Sequence, residues 1–226
     1  TATTAALKLS RAATGRDQIA LCEDHPFFSI HDWFIGTTGI SGGIPQSIQD
    51  LSLTFRYNDL DSVKDLFKKH PNQIACLILE PAKYADPEDH FLHRVQELCK
   101  QNGTIFILDE MITGFRWSNG GAQETYDIVP DMSTFGKALA NGFSLSALAG
   151  KRELLEASGI YHDRQRVFAL STTHGAETHA MAAGIATMRY YQNHPVIETL
   201  KRQGTRLAKG LHEVISENGV EDYVSI

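Results

Sequence analysis

The feature that most constrains this chain is a pair of short, wholly apolar runs with an amphipathic segment between them. Residues 74–79 read IACLIL, and residues 104–109 read TIFILD, apolar from Ile105 until Asp109. Between the runs, Phe91, Val95 and Leu98 recur at helical spacing and form one apolar face. A strand with apolar side chains on both alternating faces must be covered on both sides. Strand, helix, strand in that order therefore implies a mostly parallel sheet between two helical layers. The expected class is α/β, a three-layer α/β/α sandwich.

The alternation continues in both directions. Residues 19–21 and 51–55 are further short apolar runs, and Leu60, Val63, Leu66 and Phe67 mark a helix after the second. Pro87 suits the first turn of the helix carrying Phe91, and Gly103 suits its stop. Downstream, residues 146–149 read as a strand, 151–157 as a short helix, 166–170 as a strand and 176 to about 191 as a helix of small residues. A last helix opens at Pro195, with Ile197, Leu200, Leu207, Leu211 and Val214 on its apolar side. The expected organisation is one large domain over residues 1–194, incomplete at its N-terminus. Residues 195–226 form a helix leading into a small C-terminal domain mostly outside the sequence. The chain opens on Thr1 in what reads as a helix already under way, and it ends on VEDYVSI without a polar tail. It is expected to be part of a longer protein, truncated at both ends.

Composition narrows the partners. With 226 residues, 42% hydrophobic and 21% charged, the chain can bury a substantial core. A formal net charge of −6 gives no reason to expect nucleic acid or an anionic membrane. No apolar stretch approaches membrane-spanning length. Cys22, Cys76 and Cys99 lie far apart without a CxxC pair, which points to free buried thiols in a reducing compartment, the cytoplasm. His90 and His93 lie one turn apart but lack a third ligand at matching spacing. His174 and His179 are five residues apart, poor spacing for one helical face, so no metal site is expected.

Two residues stand out for chemistry. Asp109 ends an apolar strand, and open α/β sheets bind ligands beyond the carboxyl ends of their strands. Its carboxylate should emerge there, partly desolvated; the alternative is a carboxylate that caps a turn or pairs with Arg116. Lys137, in TFGKALANG, is the one cation in a run of mostly small residues. Desolvation there would lower the pKa of its amine and make it a nucleophile near neutral pH. The alternative is an ordinary solvated lysine. A lysine for a Schiff base and a carboxylate for a pyridinium nitrogen are the two protein groups a pyridoxal phosphate site needs most. An apolar strand ending in Asp-Glu also suits the magnesium-binding strand of a P-loop NTPase, but no G-x-x-x-x-G-K-[ST] lies upstream. Glu80 and Arg116 also sit at strand ends facing the same side.

ILDEMITGFR, PDMSTFGKALANG, SALAGKRE and TTHGAETHAMAAGIA together resemble the class III aminotransferases, which are fold-type-I pyridoxal phosphate enzymes. Within that family the likeness is to enzymes resembling glutamate-1-semialdehyde 2,1-aminomutase, and it runs over nearly the whole chain. It implies pyridoxal 5'-phosphate as cofactor and transfer of an amino group between an amine or amino acid and a keto acid or aldehyde. The intramolecular 2,1-aminomutation and a non-catalytic relative are the alternatives; ANGFSLSALAG looks closer to the aminotransferase branch.

By position, Asp109 matches the carboxylate that pairs with the protonated pyridine nitrogen. Lys137 matches the lysine that carries the cofactor as a Schiff base and then moves the proton at the substrate's α-carbon. Met111 matches the residue packed on one face of the ring, with plain core packing as the alternative. Phe27, or Phe28 one position on, matches the aromatic residue stacked on the other face. HPFFSIHDWF lacks the His-Gly that usually follows that aromatic. Thr173 matches the threonine that reaches the phosphate of the neighbouring subunit; alternatively Thr172 and Thr173 cap the next helix. A homodimer with a shared active site is implied. The family's phosphate-binding Gly-Ser/Thr loop would end just before Thr1, at a helix N-terminus suited to an anion.

Overall fold

The computed structural model describes residues 1–25, 31–163, 165–167 and 172–226. Six strands form one sheet: β1 (Gln18–Cys22), β2 (Ser52–Phe55), β3 (Ile74–Leu79), β4 (Ile105–Asp109), β5 (Met132–Phe135) and β6 (Ala147–Gly150). They lie in the order β2-β1-β3-β4-β5-β6. The first five run parallel, and β6 runs antiparallel to β5. The α/β class and the mostly parallel sheet read from the apolar runs are what the chain forms.

Alternation along the strands sends successive side chains into two cores. Ala20, Leu77, Leu79, Phe106 and Leu108 enter one, where the helices Leu60–Lys69 and Phe91–Gln101 contribute Val63, Leu66, Phe91 and Val95. Ile19, Leu21, Ile78, Ile107 and Met132 enter the other, with Leu7 and Leu9 of the helix Ala2–Thr14. Cover on both faces is why β3 can be buried at every position. Asp59 caps the helix Leu60–Lys69, its carboxylate accepting from the Ser62 N–H at 3.0 Å. Lys68 and Lys69 occupy its last turn, where the helix dipole favours cations.

Several elements differ from the sequence expectation, for local reasons. Pro87 does not open the helix carrying Phe91. Asp89 and His90 take left-handed backbone, φ 46° and 56°, so the chain turns there and the helix starts at Phe91. The small-residue helix is Thr178–Asn193, because Ala176 is left-handed too. Glu177 is its N-cap, so Thr172 and Thr173 do not cap it. The helices Asp32–Ile35, Gln46–Gln49 and Ala122–Tyr126 are too short to show a period. Of the strand expected over 166–170, residues 168–170 lie outside the described residues, and Arg166 and Val167 are not in a strand.

The last helix, Val196–Glu217, leaves Leu200, Leu207, Leu211 and Val214 exposed, with Ile215 its buried residue. Its periodicity reveals an apolar side, and little of this chain packs on that side. Cys22, Cys76 and Cys99 are free and buried, and burial pushes the Cys22 and Cys76 thiols up to about 12. Among the described residues no helix is long and apolar enough to cross a membrane.

Candidate active site

The parallel strands end at one rim, and their register there decides which side chains meet. β3 and β4 pair Leu79 with Leu108, so the next residues, Glu80 and Asp109, leave the sheet side by side. β4 and β5 pair Asp109 with Thr134. Lys137 follows just past β5, where a single 3-10 turn, Lys137–Leu139, begins. Open α/β sheets bind ligands at this rim, near the point where strand order reverses. Here β1 lies between β2 and β3, so that point falls between β1 and β3, one strand away from Asp109 on β4.

Asp109 is 4% exposed, a deeper burial than the partial desolvation expected. Its Oδ1 accepts from the Met111 N–H at 3.0 Å and from the Thr134 hydroxyl at 2.9 Å. Both bonds go to one oxygen, so Oδ2 has no donor among the described residues. Burial pushes the carboxyl from 3.8 up to about 6; the two hydrogen bonds oppose the rise, Glu80 adds to it and Lys137 opposes it. Arg116 is not its partner, since that guanidinium donates to the Ile112 carbonyl at 3.0 Å. A desolvated carboxylate with one uncommitted oxygen suits a cationic donor from outside the chain.

Lys137 is exposed, so this chain alone does not supply the desolvation its small neighbours suggested. Its backbone is left-handed, φ 45°, a conformation costly for a residue with a Cβ and found disproportionately at functional sites. Gly136 lets Met111 approach the same turn: a Cβ built on Gly136 would lie 2.5 Å from Met111 Sδ. Met111, half-buried, therefore reaches from the Asp109 turn to the residue before Lys137.

Other expected residues are not joined to this group. Phe27 and Phe28 lie outside the described residues. Thr173 is exposed in the turn ahead of the helix Thr178–Asn193, and its hydroxyl makes no hydrogen bond among the described residues. Glu80 does face the rim, 6% exposed and paired with Lys83 at 3.0 Å. His174 and His179, despite their spacing, both contact the Glu177 carboxylate, at 3.0 and 3.4 Å. Sequence reasoning missed Thr134 and Lys83; the first needs the β4–β5 register to be seen, and the second a loop that folds back on Glu80.

Glu110, the other half of the Asp-Glu pair, has a different duty. It is fully buried, and its Oε2 accepts from the Ala122 N–H at 2.9 Å and from the Thr113 hydroxyl. Oε1 accepts from the Gln123 N–H at 2.9 Å, and a Cβ on Gly121 would lie 2.7 Å from that oxygen. Glu110 thus ties the turn after β4 to the helix Ala122–Tyr126. Glu110→Ala strands two backbone N–H groups and is expected to cost about 2–5 kcal/mol. A lower urea midpoint with an unchanged slope is the measurement that shows it.

A larger cavity, about 670 Å³, opens beside Arg16, Lys100 and Lys151 near the start of β4, the end opposite Asp109. Two of these cations are already committed. Arg16 donates to the carbonyls of Ile74, Asn102 and Gly103, and Lys151 pairs with Asp131 at 2.6 Å.

The model of the family described as Aminotransferase class-III matches residues 6–223. The chain is 33% identical over 225 residues to the 3-aminobutyryl-CoA aminotransferase of Cloacimonas acidaminovorans (strain Evry), covering 97% of this chain and 51% of that protein. It is 34% identical over 237 residues to a glutamate-1-semialdehyde 2,1-aminomutase of Desulfatibacillum aliphaticivorans, covering 99% and 55%. Its fold matches the FumI protein of Sphingopyxis sp. MTA144, solved in its PLP internal aldimine form, with a TM-score of 0.81. The identity there is 29%, over 96% of this chain and 51% of that one. The chain spans about half the length of the curated relatives it matches. With residues 6–223 matched by one family model, the chain belongs to the class-III aminotransferase family.

Proposed function

We propose that the protein containing this chain is a pyridoxal 5'-phosphate-dependent aminotransferase, moving an amino group between an amine or amino acid and a keto acid or aldehyde. The observation that carries this reading is the buried Asp109 carboxylate, held at Oδ1 by Thr134 and Met111, open at Oδ2, and beside the strand that leads to Lys137. A buried anion with an uncommitted oxygen fits a protonated pyridine nitrogen. When bound, the cofactor supplies an electron sink for a carbanion at the substrate's α-carbon.

In this reading Asp109 holds the proton on the ring nitrogen. Lys137 would hold the cofactor through its amine and would take and return the proton at the substrate's α-carbon. On the family resemblance Met111 would pack on one ring face and Phe27, or Phe28 one position on, on the other. Thr173, exposed and unbonded, reaches the phosphate of a second copy, which makes the active site shared across a homodimer. Free buried thiols fit a cytoplasmic enzyme. Residues 1–194 form the cofactor-binding domain; the exposed Leu200, Leu207, Leu211 and Val214 support a helix after Pro195 that packs on further chain.

Borohydride reduction of the full-length protein, followed by peptide mapping, is expected to find a pyridoxyl group on Lys137. A label on another lysine, or none, overturns the reading. Intramolecular 2,1-aminomutation of a semialdehyde uses the same groups, and the 34% identical relative bears that name. Transfer of a labelled amino nitrogen to an added keto acid supports the aminotransferase; retention within one molecule supports the mutase.

A further inference from the structure

We infer that Lys83 is a positioning residue that acts on Asp109 through Glu80, compensating the Glu80 charge beside Asp109 so that the Asp109 carboxylate can receive a cationic donor. The role rests on the proposed function for its purpose.

Glu80 and Asp109 are 6% and 4% exposed, leave adjacent strands side by side and line one narrow cavity with His25 and Phe34. A carboxylate charge so placed opposes ionisation of Asp109 unless a cation compensates it. The Lys83 ammonium lies 3.0 Å from Glu80 Oε1, with the two side chains 17% and 7% exposed, so solvent screens this pair little. Surface pairs are worth little because water competes for both ions, and that objection is weak here.

The other charged groups facing the cavity do not replace Lys83. His25 is 4% exposed, and its Nδ1 has no hydrogen-bond partner among the described residues. Burial and the Lys83 charge, opposed by Asp24, hold its imidazole down to about 4, so near neutral pH it is uncharged. Lys137, just past β5, also opposes the rise of Asp109, but its side chain is exposed and so is screened by solvent more than the buried Lys83–Glu80 pair. Lys83 is thus the standing counter-charge to Glu80, three residues along a loop that begins at Pro81.

The test is an infrared titration of the full-length protein freed of cofactor, following the protonated-carboxyl band that Asp109→Asn removes. Lys83→Met is expected to raise the pH at which the Asp109 proton leaves by about 1–2 pH units. Lys83→Arg should restore the wild-type midpoint, which a merely structural role of the side chain would not require. Adding Lys83→Met to Glu80→Gln should leave the Glu80→Gln midpoint in place. Glu80→Gln alone keeps the shape and should lower the Asp109 midpoint, so the idea stays testable if Lys83→Met does not fold. An unchanged midpoint in Lys83→Met, or an unchanged or raised one in Glu80→Gln, overturns it. The titration needs no bound cofactor, so its failure is distinct from a failure of Lys137 to take up the pyridoxyl label.

Discussion

Lys137→Ala in the full-length protein is expected to lower amino transfer on the order of 10²–10⁴-fold, the range for a positioned proton-transfer group. The same variant should carry no pyridoxyl label after borohydride reduction. Its fold should survive, because the Lys137 side chain is exposed and makes no hydrogen bond among the described residues. Glycine at this position sharpens the expectation. Left-handed backbone at φ 45° costs a residue with a Cβ about 1–2 kcal/mol. Glycine's greater freedom in the unfolded chain offsets about 0.5–1 kcal/mol of that gain. Lys137→Gly should therefore be more stable than wild type by about 0.5–1 kcal/mol while losing activity as alanine does. A denaturant midpoint and a rate, measured on the same samples, check both halves. On the proposed function, a lysine at a strained, exposed position is kept for its amine, because packing and propensity both argue against it there. Activity within tenfold of wild type, or a glycine variant less stable than wild type, would remove that argument.

How far the sequence could be read depended on the range of the interaction. β3 and β4 are legible because burial on both faces leaves no polar position, a signal carried by consecutive residues. Asp109 is legible for the same reason, as the first charge after such a run. Thr134 was not, since its hydroxyl meets Asp109 only through the pairing of two strands 25 residues apart in sequence. Lys83 and His25 come to the cavity from loops, whose course no periodicity records. Pro87 misled because two left-handed residues, Asp89 and His90, turn the chain after it, and neither residue type demands that backbone. The exposure of Lys137 and of the last helix's apolar side has a further cause. Periodicity and small residues show what a segment can bury, and the covering surface decides what it does bury.

Asp109→Asn is expected to show the opposite pair of effects from a simple loss: a more stable protein without cofactor and a less functional one with it. In the fold the carboxyl rises from 3.8 to about 6, chiefly by burial. Between those values the folded state binds more protons than the unfolded one, so this group's contribution makes stability fall as pH rises through that window. Above it, the ionised carboxylate destabilises the cofactor-free protein by about 3 kcal/mol. Asparagine keeps an oxygen for the Met111 N–H and the Thr134 hydroxyl without the charge. The stability of Asp109→Asn minus wild type should therefore be near zero at about pH 4 and grow to about 3 kcal/mol by pH 7. His25 titrates over the same range with the opposite slope, its folded value of about 4 lying below the ordinary 6.5. In wild type alone the two trends largely cancel, which is why the difference between the two proteins is the informative quantity. Added pyridoxal 5'-phosphate should reverse the order. Removing one partner of a buried, hydrogen-bonded charge pair costs about 2–5 kcal/mol of binding. The cofactor-induced rise in melting temperature should shrink accordingly. An Asp109→Asn variant less stable than wild type without cofactor would mean that the carboxylate already has its counter-charge within the chain, and the case for a cationic ring nitrogen at Oδ2 would fall with it.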